Sequence, residues 1–468
     1  KYGHAREKTI EWSSSAYKNQ SFQFLDAEGR IFVDLLPLVK RDYKLSNYKL
    51  KTLAVHFLKD MTKDPLDAQG IFKCYRIGMK GGEQGKKALA IVGKYCVKDS
   101  ELVVRLFEVL KTWIALCQMS KVTNVPIFQL FTQGQQLKVF SQVYKKCTRE
   151  NMVVEKDAYI AKEDERYVGA TVFPPIPGIY HKVVPFDFNS LYPTSIIAYN
   201  ICYSTLVQDE SKVDLKKCHV MEWEEHIGCI HDPKVVRKLE LDAILGEKDQ
   251  ELKELRKQRD LKANKNRKEE FQELIAEHIR STKTLRDERS GILKSKPKVI
   301  TCCKRRYVWV KSPMGVLPEL LTHLLDARTK AKKEMKGVDK LLKELPPTDE
   351  KYEGLQMSYE VFDQIQNALK ISANSVYGSM GVKRGYLAFM PGACATTYVG
   401  RTAIEKAAKS IQEDFGGKLV YGDTDSNYVS FPDKKTAEEC WDHAVKVAEE
   451  VSKLFPRPIV NLVGNRRR

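Results

Sequence analysis

The chain has 468 residues, of which 43% are hydrophobic and 30% charged, enough for about three globular domains with sizeable cores. Its net charge of +18 points to a polyanionic partner, because clustered Lys and Arg neutralise phosphates and release counterions; charge alone leaves DNA, RNA and an anionic membrane surface open. No apolar run approaches a membrane span and the 11 cysteines follow no secreted-type framework, so the expectation is a soluble, non-secreted protein with free thiols.

In chain order, residues 1–28 are polar and weakly patterned. Gly78–Lys87 is rich in Gly and Lys but lacks phosphate-loop spacing, and reads as a mobile loop. Lys94–Leu106 carries apolar residues at helical spacing and sets Tyr95 and Asp99 one turn apart. Val183–Asn200 opens with an apolar run ending in Asp187; after a turn, Pro193 stands where a proline opens a helix. A carboxylate is thereby expected at a strand end, beside the free N–H groups of a helix start, where anions bind readily. The pairs Cys218-His219, Cys229-Ile-His231 and Cys302-Cys303 offer metal-ligand residue types at irregular spacing, without a Cys-x₂-Cys pair. Buried or incidental thiols are the favoured reading over structural zinc.

Residues 239–295 contain no proline and are packed with Glu, Lys and Arg. Leu252, Leu255, Phe271, Leu274, Ile275 and Ile279 fall at i, i+3, i+4 spacings, which fits one long helix or two helices breaking near Ala263. As one helix the Gly- and Pro-free run Glu247–Ser290 would span about 65 Å, too long to bury, so a folded-back pair stapled by Leu252/Leu255 and Leu274/Ile275/Ile279 is expected. Leu317–Leu345 predicts a helix ended by Pro346-Pro347, with Arg328 and Lys332 at i, i+4. Gln356–Tyr377 predicts another, with Lys370, Asn374 and Tyr377 along one face. Lys418–Tyr421 and Asn427–Phe431 are β-type runs flanking Gly422, Asp423, Thr424 and Asp425, a tight hairpin holding two carboxylates at its tip. Hard oxygen ligands on a rigid ribbon suit Mg²⁺, although Asp-x-Asp alone more often makes a hydrogen-bonded surface turn. Residues 434–455 predict an amphipathic helix.

Three stretches together carry more than any one. Asp187-Phe-Asn-Ser-Leu-Tyr-Pro, Lys370-x-x-x-Asn374-Ser-x-Tyr377-Gly378 and Tyr421-Gly-Asp-Thr-Asp-Ser resemble motifs A, B and C of the family B DNA polymerases, in the family's order. The delta-type replicative branch, with its relatives in large DNA viruses, is the nearest in look. The resemblance runs from about residue 29 to about residue 455, apart from the charged insert. Tyr95-x-x-x-Asp99 resembles the family's third exonuclease motif, and Tyr167-Val-Gly169-Ala its Tyr-x-Gly-Gly/Ala linker motif. Gly29–Pro37 and Arg41–Leu50 are similar to the family's stretch just beyond the second exonuclease motif, so Asp26-Ala-Glu28 reads as a decoy and the chain as an internal fragment. The tail Asn461–Arg468 departs from the pattern and suggests a truncated or artefactual end, before the thumb.

The resemblance implies an α/β (α+β) fold with a partial RNase H-like 3′–5′ exonuclease domain, a polymerase palm and two-helix fingers, the thumb absent. The expected segments are 1–147 exonuclease, 148–205 first part of the palm, 206–316 a palm-to-fingers stretch with the insert at 239–295, 317–378 fingers and 379–468 palm. It implies template-directed addition of dNTPs to a primer 3′-hydroxyl by two-metal phosphoryl transfer. Asp187 and Asp425 would hold two Mg²⁺ ions (Mn²⁺ substituting) with the Phe188 carbonyl, while Asp423 supports the turn. Arg328, Lys332, Lys370 and Asn374 would meet the triphosphate with the Ser190 and Leu191 N–H groups. Tyr192 would stack under the sugar and reject a 2′-hydroxyl. Tyr95 and Asp99 would serve the exonuclease; Tyr167, Gly169, Tyr377, Gly378 and Gly422 would lie along DNA. Expected partners are primer–template DNA, dNTPs and, for the full protein, a sliding clamp or processivity factor, at a nuclear or viral replication site. The alternatives are a catalytically degenerate DNA-binding scaffold and an RNA-dependent polymerase; the intact carboxylates oppose the first, and the Lys370–Gly378 helix fits family B better than the second.

Overall fold

The computed structural model describes residues 6–14, 18–27, 29–58, 61, 63–154, 159–160, 167–226, 233–261, 266–292 and 302–463. β1 (Arg6–Ser14) and β2 (Lys18–Asp26) form an antiparallel hairpin. A helical region comes next: α1 (Leu35–Asp42), α2 (Leu50–Phe57), α3 (Ala68–Gly78), α4 (Gly82–Val109), α5 (Thr112–Thr123), α6 (Ile127–Thr132) and α7 (Gln135–Arg149). Its apolar faces close two small cores, Val39, Leu53, Ala54, Leu58, Leu102 and Leu106 around α1, α2 and α4, and Leu116, Val125 and Leu130 around α5 and α6.

The rest of the chain gives β3 (Tyr159–Ile160), β4 (Val172–Phe173), β5 (Val183–Phe188), α8 (Leu191–Ala198) and β6 (Cys218–Glu225). Then come α9 (Pro233–Asp260), α10 (Lys268–Ile292), β7 (Cys303–Val310), α11 (Val316–Glu344) and α12 (Tyr352–Met380). Last are β8 (Arg384–Gly385), α13 (Met390–Glu413), β9 (Lys418–Asp423), β10 (Ser426–Ser430), α14 (Ala437–Ser452) and β11 (Asn461–Val463). A five-stranded sheet runs β11-β5-β10-β9-β4, each neighbour antiparallel. The Val-Val-Pro-Phe-Asp-Phe alternation of β5 explains its orientation: Val184, Phe186 and Phe188 point into the core and leave Asp187 on the open face. α13 and α14 pack against this sheet, and α7, α8, α11 and α12 continue the same core.

Several expectations shift. Gly78–Lys87 is not a loop: Gly81 (φ 74°) and Gly82 (φ 69°) reverse the chain and α4 starts at once. A Cβ at Gly85 would sit 3.1 Å from the Gly78 carbonyl oxygen, so α3 and α4 approach through glycine. The segment boundaries at 147/148 and 378/379 fall inside α7 and α12; Val139, Val143 and Cys147 of α7 belong to the large core, which carries that helix across the expected divide. The charged insert is a helical hairpin whose first helix starts at Pro233, before the expected residue 239. It packs through Leu241, Leu245, Leu252, Ile275 and Thr282 at near-heptad spacing, while Leu274 and Ile279 of the expected staple point outward. Arg237–Glu288 (2.8 Å) and Asp249–Arg286 (2.5 Å) pair across it. Residues 262–265, with Ala263, lie outside the described residues. So do Glu28, Cys229, His231 and the last five residues of the tail, but Asn461-Leu-Val is strand β11, paired with β5. Among the described residues no helix is long and apolar enough to cross a membrane.

Candidate active site

The carboxylates meet where β5 and β10 end side by side. Their register sets Asp187 opposite Ser426, whose hydroxyl donates to Asp187 Oδ1 at 2.6 Å and stands 3.4 Å from Asp425 Oδ1. The Phe188 N–H donates to the Asp425 carbonyl oxygen at 2.8 Å, tying the two strand ends. Thr424 holds the turn in the left-handed region (φ 54°), an uncommon place for a β-branched residue, and its N–H donates to the Thr171 carbonyl at 3.1 Å. Asp423 serves this turn: it accepts from the Thr424 hydroxyl (2.8 Å) and the Tyr421 hydroxyl (3.2 Å). Asp187 and Asp425 are therefore the converging pair. Asp425 is held above the ordinary carboxylate range, first by burial and then by the negative charge of Asp187. Two hard carboxylates kept where they repel one another form a donor set that fits a divalent cation.

Behind the pair stands a column of tyrosines. Tyr192, on α8, packs its ring 4.3 Å from that of Tyr377 on α12, and the Tyr377 hydroxyl lies 3.4 Å from that of Tyr167. Burial, then Asp425, pushes the Tyr192 phenol up to about 12, so it stays protonated beside the carboxylates. Ser190 caps α8 in the left-handed region (φ 51°), and the N–H groups of Ser190 and Leu191 fall in the first turn, where no intrahelical acceptor exists. Along α11 and α12, antiparallel neighbours, cations gather. Lys332 is pulled below its ordinary range by burial and then by Arg328, Lys370 and Lys336; Arg328 is half-buried with its Nε unpartnered among the described residues. Lys370 and Asn374 are exposed on the face of α12 that continues to Tyr377. Like charges crowded this way repel one another, and an anion set among them would relieve that repulsion.

The other expected residues separate. Gly169 and Gly378 are exposed and a Cβ at either would have no neighbour within 4 Å among the described residues, whereas at Gly422 it would come 2.5 Å from Phe173. Tyr95 and Asp99 lie on α4 in a different core; Lys63 binds Asp99 at 2.7 Å and covers the Tyr95 ring at 5.0 Å. Asp99 Oδ1 is buried without a partner among the described residues. Four contributors were missed. Ser426 needs the β5–β10 register to be seen, and Gly400 needs the packing, since a Cβ there would come 2.9 Å from the Tyr192 ring. Arg401 donates to the Val168 (2.6 Å) and Gly169 (2.9 Å) carbonyls while facing buried Glu225, a contact between segments far apart in sequence. Lys336 alone was readable, one turn beyond Lys332.

Residues 125–461 match the family model for DNA polymerase family B. Over 97% of its length the chain is 47% identical to DNA polymerase 120R of Invertebrate iridescent virus 3, covering 38% of that relative. It is 42% identical to Putative DNA polymerase 060R of Frog virus 3, again over 97% of this chain and over 44% of that one. The DNA polymerase delta catalytic subunit of Glycine max is 29% identical over 97% of this chain and 33% of its own length. The chain belongs to the family B DNA polymerases. It spans less than half the length of these curated relatives.

Proposed function

We propose that this chain carries the nucleotidyl-transfer centre of a template-directed DNA polymerase that extends a primer 3′-hydroxyl with dNTPs. One observation carries the reading: Asp187 and Asp425 share the Ser426 hydroxyl at adjoining strand ends, joined through Tyr192 and Tyr377 to a helix pair bearing Arg328, Lys332, Lys336 and Lys370. Phosphoryl transfer asks a protein mainly for alignment and charge neutralisation. Asp187 and Asp425 would hold Mg²⁺ (Mn²⁺ substituting), with the Phe188 carbonyl as a further oxygen. Bound there, the metal supplies charge neutralisation at the transferring phosphoryl group and lowers the pKa of the attacking hydroxyl. Asp423 keeps the turn. Arg328, Lys332 and Lys370 take the triphosphate, Asn374 lies beside it, and the N–H groups of Ser190 and Leu191 donate to it. The Tyr192 ring, seated on Gly400, lies under the sugar and leaves no room for a 2′-hydroxyl. Tyr167, Gly169, Tyr377 and Gly378 line the DNA path.

In this reading the five-stranded sheet with α8, α13 and α14 is the palm, α11 and α12 are the fingers, and the helical region is the C-terminal part of a 3′–5′ exonuclease. Tyr95 and Asp99 would act in proofreading within the full-length protein. A clamp or processivity factor, and a nuclear or viral replication site, are proposed for that protein as well. A degenerate scaffold is disfavoured by the intact carboxylate pair. The test is primer extension by the full-length protein: Asp187→Asn and Asp425→Asn should each lower it by about 10³-fold, roughly 4 kcal/mol of barrier, with duplex binding retained. Extension within tenfold of wild type for either variant removes the assignment.

A further inference from the structure

Away from the carboxylates, a cavity of about 580 Å³ opens between α1, α5, α7 and α12. Such a volume suits a small organic ligand, for which pockets run from roughly 300 to 1,000 Å³. Much of its wall is apolar, including Leu38, Leu116, Met119 and Ile371. Into it runs Lys138, which is 4% exposed and has no hydrogen bond or ion pair among the described residues. The other charges on the wall are Arg41 and Asp42 at the end of α1. Asp42 is already engaged by the Arg41 guanidinium through two bonds, 2.7 and 2.9 Å, so its charge is largely answered. A largely buried ammonium whose nearest carboxylate is shared with a guanidinium is costly to hold charged, and an anion bound in the cavity would offset that cost.

We propose that this cavity is a binding site for a small organic anion, a phosphate monoester or carboxylate on an apolar body, with Lys138 as its charge partner. The apolar wall takes the body, and the carboxamides of Gln135, Gln364 and Asn367 offer hydrogen bonds at the same wall. Burial, then Arg41, lowers the Lys138 ammonium to about 8, against the smaller opposing pull of Asp42, and an anion beside it would restore its proton affinity. The wall on α12 lies within a turn of Lys370, so the site is fixed to the same helix that carries the cation cluster.

The experiment is calorimetric titration of the full chain at pH 7 with phenyl phosphate, benzoate, uncharged benzyl alcohol and inorganic phosphate. Phenyl phosphate or benzoate should bind saturably at about millimolar or tighter, with benzyl alcohol and inorganic phosphate at least about tenfold weaker. The tighter of the two organic anions assigns the head group. Lys138→Met, which keeps length and removes the unpartnered charge, should fold with an undiminished melting temperature and bind at least about tenfold more weakly. Ala368→Trp, which fills the cavity from α12, should abolish binding while Lys370 remains in place. Benzyl alcohol binding as tightly as benzoate, equal binding by Lys138→Met, or no saturable binding of either organic anion overturns the proposal.

Discussion

Asp187→Asn gives the sharpest test of the carboxylate pair, because its effect on stability should reverse with metal. The two carboxylates share one hydroxyl, at 2.6 and 3.4 Å, so the oxygens that meet it lie no more than about 6 Å apart. At that spacing two unit charges repel by roughly 3 kcal/mol at an effective dielectric of about 20, and by roughly 0.8 kcal/mol in water-like surroundings. Asp187 is exposed, so screening favours the lower figure, about 1 kcal/mol. Asn keeps the shape and the contact with Ser426 while removing the charge. Without metal at pH 7 the variant should therefore melt about 1–2 °C higher than wild type. The pH dependence comes from Asp425, whose folded-state pKa is raised. The folded state holds that proton more tightly, so the penalty present at neutral pH fades as pH falls through the raised value towards the ordinary carboxylate range. Asp187→Asn should shrink this gain on acidification. With Mg²⁺ at about ten times its Kd, wild type gains about 1.4 kcal/mol by mass action and the variant far less. The melting curves should thus change order between EDTA and Mg²⁺, read by scanning calorimetry. A variant that melts lower in EDTA, or that gains as much from Mg²⁺ as wild type, refutes the reasoning.

Replacing Tyr192 with Ala should raise ribonucleotide incorporation far more than it lowers deoxyribonucleotide use; Gly400→Ala, whose Cβ would press 2.9 Å from the Tyr192 ring, should shift the same ratio. Unchanged sugar discrimination in both would leave Tyr192 a packing residue. Lys370→Ala should raise the KM for dNTP and lower kcat in steady-state extension, since its charge meets charge growing in the transition state. Kinetics equal to wild type would remove α12 from the nucleotide site. Exchanging residues 240–294 for a short Gly-Ser linker should keep single-nucleotide incorporation within a few fold, because the hairpin closes on its own Leu241, Leu245, Leu252 and Ile275. Loss of the chemical step would make the hairpin part of the catalytic frame.

The helices and the hairpin of Asp423–Asp425 were legible because their signals are local. Apolar spacing along Val316–Glu344 and Tyr352–Met380 is written in each helix, and Gly-Asp-Thr-Asp between β-type runs describes its own turn. What escaped depends on pairing between distant segments. Nothing near Ser426 in sequence says that it faces Asp187, 239 residues away. The packing of Phe173 against Gly422 was not legible either, because Phe173 belongs to a two-residue strand, and so short a strand leaves almost no pattern to read. The Leu274/Ile279 stripe misled because several faces of a charged helix carry apolar residues, and only the partner helix selects among them.

The tyrosine column also has a mechanical meaning. Tyr377 rides on α12, whereas Tyr167 belongs to the segment that leads into β4, and a hydroxyl contact of 3.4 Å joins them. Tyr167 is pressed close to the end of the same helix, for a Cβ at Gly381 would fall 2.1 Å from its hydroxyl. A side chain at position 381 would therefore displace the Tyr167 hydroxyl and, with it, the contact to Tyr377 on the helix that carries Lys370.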